Sequence, residues 1–217
     1  MEATILKGQS NISLIHSDME QYTTERYKID IFEDYTFKYD SNDNANQYDN
    51  IYFDKSDFKY STVIGIRIFQ DDKLLKSAVI GSTGGKTGIG KNSIIIESGR
   101  LLVCCSDTIF CLSIPDLTLL WCKQADQITC FEIFKYLDSY IIHGEVEISR
   151  LDKNGNILWQ QSSADIFTTL EGKDNFFVAE NYIIATDWKN RKYKFDFNGT
   201  ILQTTEQKKK RLWKRWK

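Results

Sequence analysis

The sequence predicts an all-β fold, a small propeller-like array of repeated antiparallel sheets. Three observations predict it. A strand-rich segment recurs three times at spacings of 38 and 44 residues. Each copy carries an acidic residue and a bulky residue at matching offsets. No long helical pattern occurs anywhere in the 217 residues. A period of roughly 40 residues in β-patterned sequence marks propeller blades or similar stacked sheets.

The central copy runs from Ser139-Tyr-Ile-Ile-His-Gly-Glu145 to Asp152-Lys-Asn-Gly-Asn-Ile-Leu-Trp159. Upstream, Leu101-Leu-Val-Cys-Cys-Ser-Asp107 leads to Leu117-Thr-Leu-Leu-Trp121; downstream, Asn181-Tyr-Ile-Ile-Ala-Thr-Asp187 leads to Asp196-Phe-Asn-Gly-Thr-Ile-Leu-Gln203. Asp107 precedes Trp121 by 14 positions, as Glu145 precedes Trp159. Asp187 precedes Gln203 by 16, which puts two extra residues in the third copy, around Lys189–Lys192. Each copy reads as a strand ending in an acid, a second strand, a tight turn, and a strand ending in a bulky residue. The Asp-x-Asn-Gly turns at 152–155 and 196–199 suit the positive φ of a hairpin. The first copy has Ile114-Pro-Asp-Leu117 instead, with the chain's single proline placed where a missing N–H does no harm.

This pattern resembles the blade repeat of quinoprotein-like and WD-repeat-like β-propellers over residues 89–207. The resemblance implies that the repeated tryptophan docks on a neighbouring blade. Trp121 and Trp159 match that position; Gln203 departs from it, as a terminal repeat would. The resemblance concerns architecture and brings no catalytic motif.

Towards the N-terminus, period-two alternation at Asn11–His16, Tyr27–Phe32 and Tyr35–Tyr39 argues half-buried strands. Ser41–Asn50 reads as a polar loop, disordered or functional. Ser61–Phe69, a turn at Gln70–Lys73 and Leu74–Ile80 read as a hairpin. Two arrangements follow: five blades with the first two degenerate, or three clear blades plus an N-terminal β layer. In either, residues 1–207 form one repeat domain. Residues 1–88 are its degenerate part, 89–127, 128–166 and 167–207 are the repeats, and 208–217 is a basic tail.

Composition excludes several classes. Hydrophobic content of 41% and 27% charged residues are those of a globular domain. No apolar run approaches the ~20 residues of a membrane span. Residues 1–207 hold 21 basic and 30 acidic side chains, a net −9, which opposes specific nucleic-acid binding. Met1–Lys7 lacks a basic-then-apolar leader, and five cysteines cannot all pair, so reduced thiols in a cytoplasm are expected.

Candidate sites are few. Gly81-Ser-Thr-Gly-Gly-Lys-Thr87 fails as a P-loop because Ile80 stands where glycine is required and a strand, not a helix, follows. Cys104, Cys105, Cys111, Cys122 and Cys130 form no Cys-x-x-Cys pair and read as small buried hydrophobes; no metal or cofactor is implied. His143 and Glu145 are the candidates for acid–base chemistry, with Glu147 nearby. The repeat gives Glu145 a plainer role, since it aligns with Asp107 and Asp187 in a turn. Asp126 and Asp165 recur after the tryptophans as a second turn acid. Between Asp30 and Asp57 lie eight carboxylates and two lysines, and Asp40, Asp43, Asp49, Asp54 and Asp57 are the candidate binding residues. The tail carries seven basic residues with Leu212, Trp213 and Trp216 and could touch an anionic membrane surface or a nucleic-acid backbone, though a frayed tail is the preferred reading. The expected function is non-catalytic binding of another, basic, protein, as a neutralising (immunity-type) partner. A lectin-like or small-ligand propeller is the alternative, and a hydrolase using His143 and Glu145 ranks below both.

Overall fold

A computed structural model describes residues 19–53, 59–90, 92–169 and 175–205. The expected strand at Asn11–His16 and the 208–217 tail lie outside the described residues, which contain strands and turns but no helix.

Five strands form the first sheet: β1 (Met19–Thr23), β2 (Lys28–Glu33), β3 (Asn50–Phe53), β4 (Thr62–Gln70) and β5 (Lys73–Ser82), in the order β1-β2-β4-β5-β3. All pairs are antiparallel except β3 with β5. Asp71 and Asp72 both take positive φ between β4 and β5, which gives the two-residue turn whose twist matches paired strands. Tyr35–Tyr39, read from its alternation as a strand, forms a turn instead. Phe37 and Tyr39 pack on Phe53 there.

Three four-stranded antiparallel meanders follow. The second sheet is β6 (Ile94–Glu97), β7 (Arg100–Cys105), β8 (Thr108–Ser113) and β9 (Leu119–Gln124). The third is β10 (Cys130–Tyr136), β11 (Ser139–Gly144), β12 (Glu147–Asp152) and β13 (Ile157–Ser162). The fourth is β14 (Phe176–Val178), β15 (Ile183–Thr186), β16 (Lys192–Phe195) and β17 (Ile201–Thr205). The described residues thus form a β layer beside three repeated sheets.

One core fills each gap between successive sheets. Ile29, Ile31, Ile66 and Ile80 meet Leu101, Val103 and Cys105 in the first gap. Leu102 and Cys104 meet Ile133, Tyr140 and Ile142 in the second. Ile141 and Ile148 meet Ile183, Ala185 and Phe195 in the third. Residues of β7 and β11 therefore point alternately into two cores, which is why these strands read as unbroken apolar runs rather than alternating ones. Cys104 and Cys105, adjacent in β7, lie in different cores accordingly.

The sheets are joined by a repeated contact. The Trp121 indole covers Gly155 of the next sheet, and its Nε1–H donates to Lys153 O at 3.1 Å. The Trp159 indole covers Gly199, and its Nε1–H donates to Phe197 O at 2.9 Å. Both glycines have φ above +80° and are buried. The turn thus needs glycine twice, for its backbone conformation and for the ring above it. Asp152 Oδ1 accepts from the N–H groups of Asn154 and Asn156, and Asp196 Oδ1 from those of Asn198 and Thr200, so the aspartate organises each turn. At the first junction Tyr52 of β3 takes the tryptophan's part: its hydroxyl donates to Leu117 O and accepts from Leu119 N–H.

Each tryptophan reaches forward because of a β-bulge. In β9 the register passes from Leu119 to Trp121, in β13 from Ile157 to Trp159, and in β17 from Ile201 to Gln203. In a regular strand residues two apart share a face. The extra residue breaks that rule. Leu119 then packs back into the first core while Trp121 packs forward into the second, and Ile157 and Trp159 do the same one gap on.

Candidate functional site

His143 sits in β11 and is 1% exposed. Its Nδ1 lies 2.9 Å from Glu132 Oε2 and its Nε2 lies 2.9 Å from Phe167 O, so both ring nitrogens face acceptors. The ring stacks on Phe176 at 4.4 Å. Burial opposes the charge of Glu132, yet hydrogen bonds from His143 and Asn92 hold its carboxyl below the ordinary glutamate range. The histidine's carboxylate partner is Glu132, not Glu145 or Glu147. Neither nitrogen is open to a substrate, and the cluster ties the third sheet to the segment leading into the fourth.

The repeated acids are engaged inside the fold as well. Glu145 accepts from the Thr129 hydroxyl at 2.9 Å. Asp107 accepts from Ser82, Thr108 and Gln124 side chains. Only Asp187 bonds turn N–H groups as expected, those of Lys189 and Arg191, and it also pairs with Arg191 Nε at 2.6 Å. Asp126, 1% exposed, accepts four backbone N–H groups, from Ile128 and Thr129 in its own turn and Val146 and Glu147 in the next sheet. Asp165 does a similar job through Lys189 Nζ at 3.3 Å. Among the described residues no three metal-ligating side chains converge. All five cysteines carry thiols, four buried; Cys122 departs from the expected burial because β9 is an outer strand.

The acidic loop after β2 folds over the outer face of the first sheet. Asp34, 4% exposed, is its anchor. Its carboxylate accepts from the N–H and hydroxyl of Thr36, the N–H of Phe37, Asn46 Nδ2 and the Tyr48 hydroxyl. Burial raises its pKa, but these bonds prevail and hold it below the aspartate range, while burial and Asp34 itself push the Tyr48 phenol up. Phe37, Tyr39, Phe53 and Tyr60 then pack as an aromatic layer, with Tyr48 against Phe37. A Cβ at Gly65 would meet Tyr48 and Phe32, and one at Gly81 would meet Phe53, so glycine in β4 and β5 lets the layer approach.

Of the candidate binding acids, Asp40 and Asp43 are exposed. Asp49 is exposed but engaged: it accepts from the N–H and hydroxyl of Ser77, which lower its pKa. Asp54 and Asp57 lie outside the described residues.

Two surface features escaped the sequence reading. The bulged residues Leu120, Leu158 and Leu202 are 45%, 52% and 54% exposed, one on the outermost strand of each repeated sheet. Ile51, beside Tyr52 on the corresponding strand of the first sheet, is 49% exposed. The signal was present as the triplets Leu-Leu-Trp, Ile-Leu-Trp and Ile-Leu-Gln, which hold one apolar residue too many for an alternating strand. The second feature is a cleft of about 370 Å³ between the first two sheets, lined by Thr24–Tyr27, Ile96–Gly99 and Ile114. One aromatic lines it, and Glu97 there is already bonded to Lys135 and Tyr140.

These features define an all-β, propeller-like array of sheets joined by repeated aromatic-on-glycine contacts. The sequence matches no protein-family model and no curated protein. Among solved structures it is similar to the computationally designed Ika4 protein, with 12% identity over 57% of this chain and 79% of that one, TM-score 0.44. It is similar also to BamB from Moraxella catarrhalis, with 10% identity over 88% of this chain and 48% of that one, TM-score 0.44. The Pan2 WD40 domain of Neurospora crassa matches with 13% identity over 55% of this chain and 39% of that one, TM-score 0.43. The chain therefore spans less than half the length of the two natural proteins.

Proposed function

We propose that this chain is a non-catalytic protein-binding domain. The observation that supports it most is the row of outward leucines at 120, 158 and 202. The bulge explains why a side chain must point outward there; it gives no reason for that side chain to be apolar in all three sheets. Exposed apolar residues repeated at structurally equivalent positions suit a protein partner. The buried His143 and the internally bonded acids favour binding over hydrolysis. Of the repeated aromatic and acidic positions that motivate a lectin-like reading, Trp121 and Trp159 have their ring faces on glycine turns. The net −9 of residues 1–207, with Asp40 and Asp43 exposed, favours a basic partner, as a neutralising immunity-type protein would have.

The test is capture of a partner by the full chain, followed by association kinetics. Leu120→Asp with Leu158→Asp should abolish capture while leaving the thermal transition in place. Asp40→Asn with Asp43→Asn should slow association and reduce its salt dependence. Capture unaffected by the leucine pair would refute the protein-binding surface, and unchanged association in the aspartate variant would refute the basic partner.

A further inference from the structure

The two ends of the array carry opposite charge. At the far end, strand register puts Phe177, Ile184, Lys194 and Gln203 in one row across the outer face of the fourth sheet, and Thr186, Lys192 and Thr205 in the next. These positions alternate with Ile183, Ala185, Tyr193 and Phe195, which fill the third core. Phe177 is 57% exposed, Lys192 is exposed, and Lys194 Nζ lies 3.9 Å from the centre of the Tyr182 ring. None of the seven residues in the two rows is acidic. At the near end, the loop anchored on Asp34 closes the outer face of the first sheet. It presents Tyr39, 47% exposed and packed on Phe53 and Tyr60. Its exposed charges are Asp40, Asp43 and Asp49 against Lys38 alone.

Within the array, each gap is filled where the face of one sheet meets the next. The fourth sheet offers a further face, and among the described residues no fifth sheet meets it. Phe177 and Ile184, side by side and next to two lysines, match an apolar surface edged with acids. The chain carries such a surface at its other end, in Tyr39 with Asp40 and Asp43. Neither end suits a copy of itself. A two-fold contact would set Lys192 and Lys194, or Asp40 and Asp43, against their own kind. The complementary arrangement is heterologous, with the far end of one copy against the near end of another.

We propose that this chain associates with itself head to tail, the outer face of the fourth sheet in one copy docking on the Asp34-anchored loop of the next. The contact names the basic partner of Asp40 and Asp43 and rests on that part of the proposed function; the outward leucines take no part in it. A heterologous contact closes into a ring or runs on as a filament, and the mass of the assembly says which.

The experiment is analytical sedimentation of the full chain over a concentration series. Assemblies of two or more copies are expected, weakened by salt. Lys192→Glu with Lys194→Glu sets like charges face to face and should weaken association about a hundredfold or more, as should Asp40→Lys with Asp43→Lys. Phe177→Ser should weaken it as well. Mixed in equal amounts, the two charge variants present opposite charges at both kinds of contact and should assemble again, in mixed species only. Lys123→Glu with Lys153→Glu, the same charge change on other sheets, should leave association near wild type, and so should Leu120→Asp with Leu158→Asp. A single-chain mass at every concentration, with capture of another protein through the leucines intact, would overturn this contact alone. Association that survives either charge reversal would also overturn it, as would a mixture that stays apart or an equal loss in the leucine variant. Capture of another protein by a chain that stays single, abolished by Lys192→Glu with Lys194→Glu, would give the fourth face to that protein instead.

Discussion

Replacing Gly155 by alanine tests the contact that joins successive sheets. Gly155 has φ +82°, and a Cβ there would stand 2.7 Å from Cδ2 and Cε3 of Trp121. Two costs follow. A left-handed alanine costs about 1–2 kcal/mol. Displacing the ring loses its packing and its bond to Lys153 O, which adds about 1–3 kcal/mol, as overpacking does elsewhere. Gly155→Ala should therefore destabilise by about 2–5 kcal/mol in urea unfolding, with an unchanged m-value. Gly88→Ala, where a Cβ meets nothing within 4 Å, should stay within about 0.5 kcal/mol. A double-mutant cycle isolates the clash. In a Trp121→Ala background the indole is gone, so Gly155→Ala should cost only its backbone part, about 1–2 kcal/mol. With Trp159→Ala, which belongs to the next junction, the costs should add. An undiminished Gly155→Ala cost in the Trp121→Ala background would refute the docking account.

Trp159→Ala should itself cost about 3–5 kcal/mol, as an aromatic core truncation does, and Leu158→Ala, one residue away on the bulge, should cost under about 0.5 kcal/mol. Asp34→Ala should cost about 2–3 kcal/mol because it strands Tyr48, Asn46 and Thr36, and it should expose the aromatic layer to dye binding. Stability should be steady from neutral pH to about 5 and fall below about 4. Asp34, Glu97, Glu132 and Asp152 have lowered folded pKa values, so the unfolded chain takes up protons first as pH drops; Asp34→Asn should make that fall shallower. Thiol titration of the denatured, unreduced chain should count five, and in the native protein Cys122 alone should react quickly. Burial pushes the Cys104 and Cys130 thiols up and that of Cys111 up to about 11.

The local chemistry of the repeats was legible in the sequence. Asp152-Lys-Asn-Gly155 and Asp196-Phe-Asn-Gly199 specify their turns through bonds within a few residues, and the Tyr140-Ile-Ile142 run specifies a strand buried on both faces. Such signals are short-range, so they can be read from the chain. What each side chain meets across a gap was not legible. His143 and Glu145 are neighbours in sequence, but pleating and the β10–β11 register give the histidine to Glu132. Asp34 looked like one acid among eight until the loop's return brought Asn46 and Tyr48 to it. The triplet Ile157-Leu-Trp159 reads as one apolar strand end; only the bulge, set by the demands of two cores at once, turns Ile157 back, Trp159 forward and Leu158 outward. The sequence by itself determined strands, turns and their period, because those depend on neighbours along the chain. The tertiary structure alone decided which polar groups are committed and which apolar ones are left outside, because that depends on sheets meeting face to face.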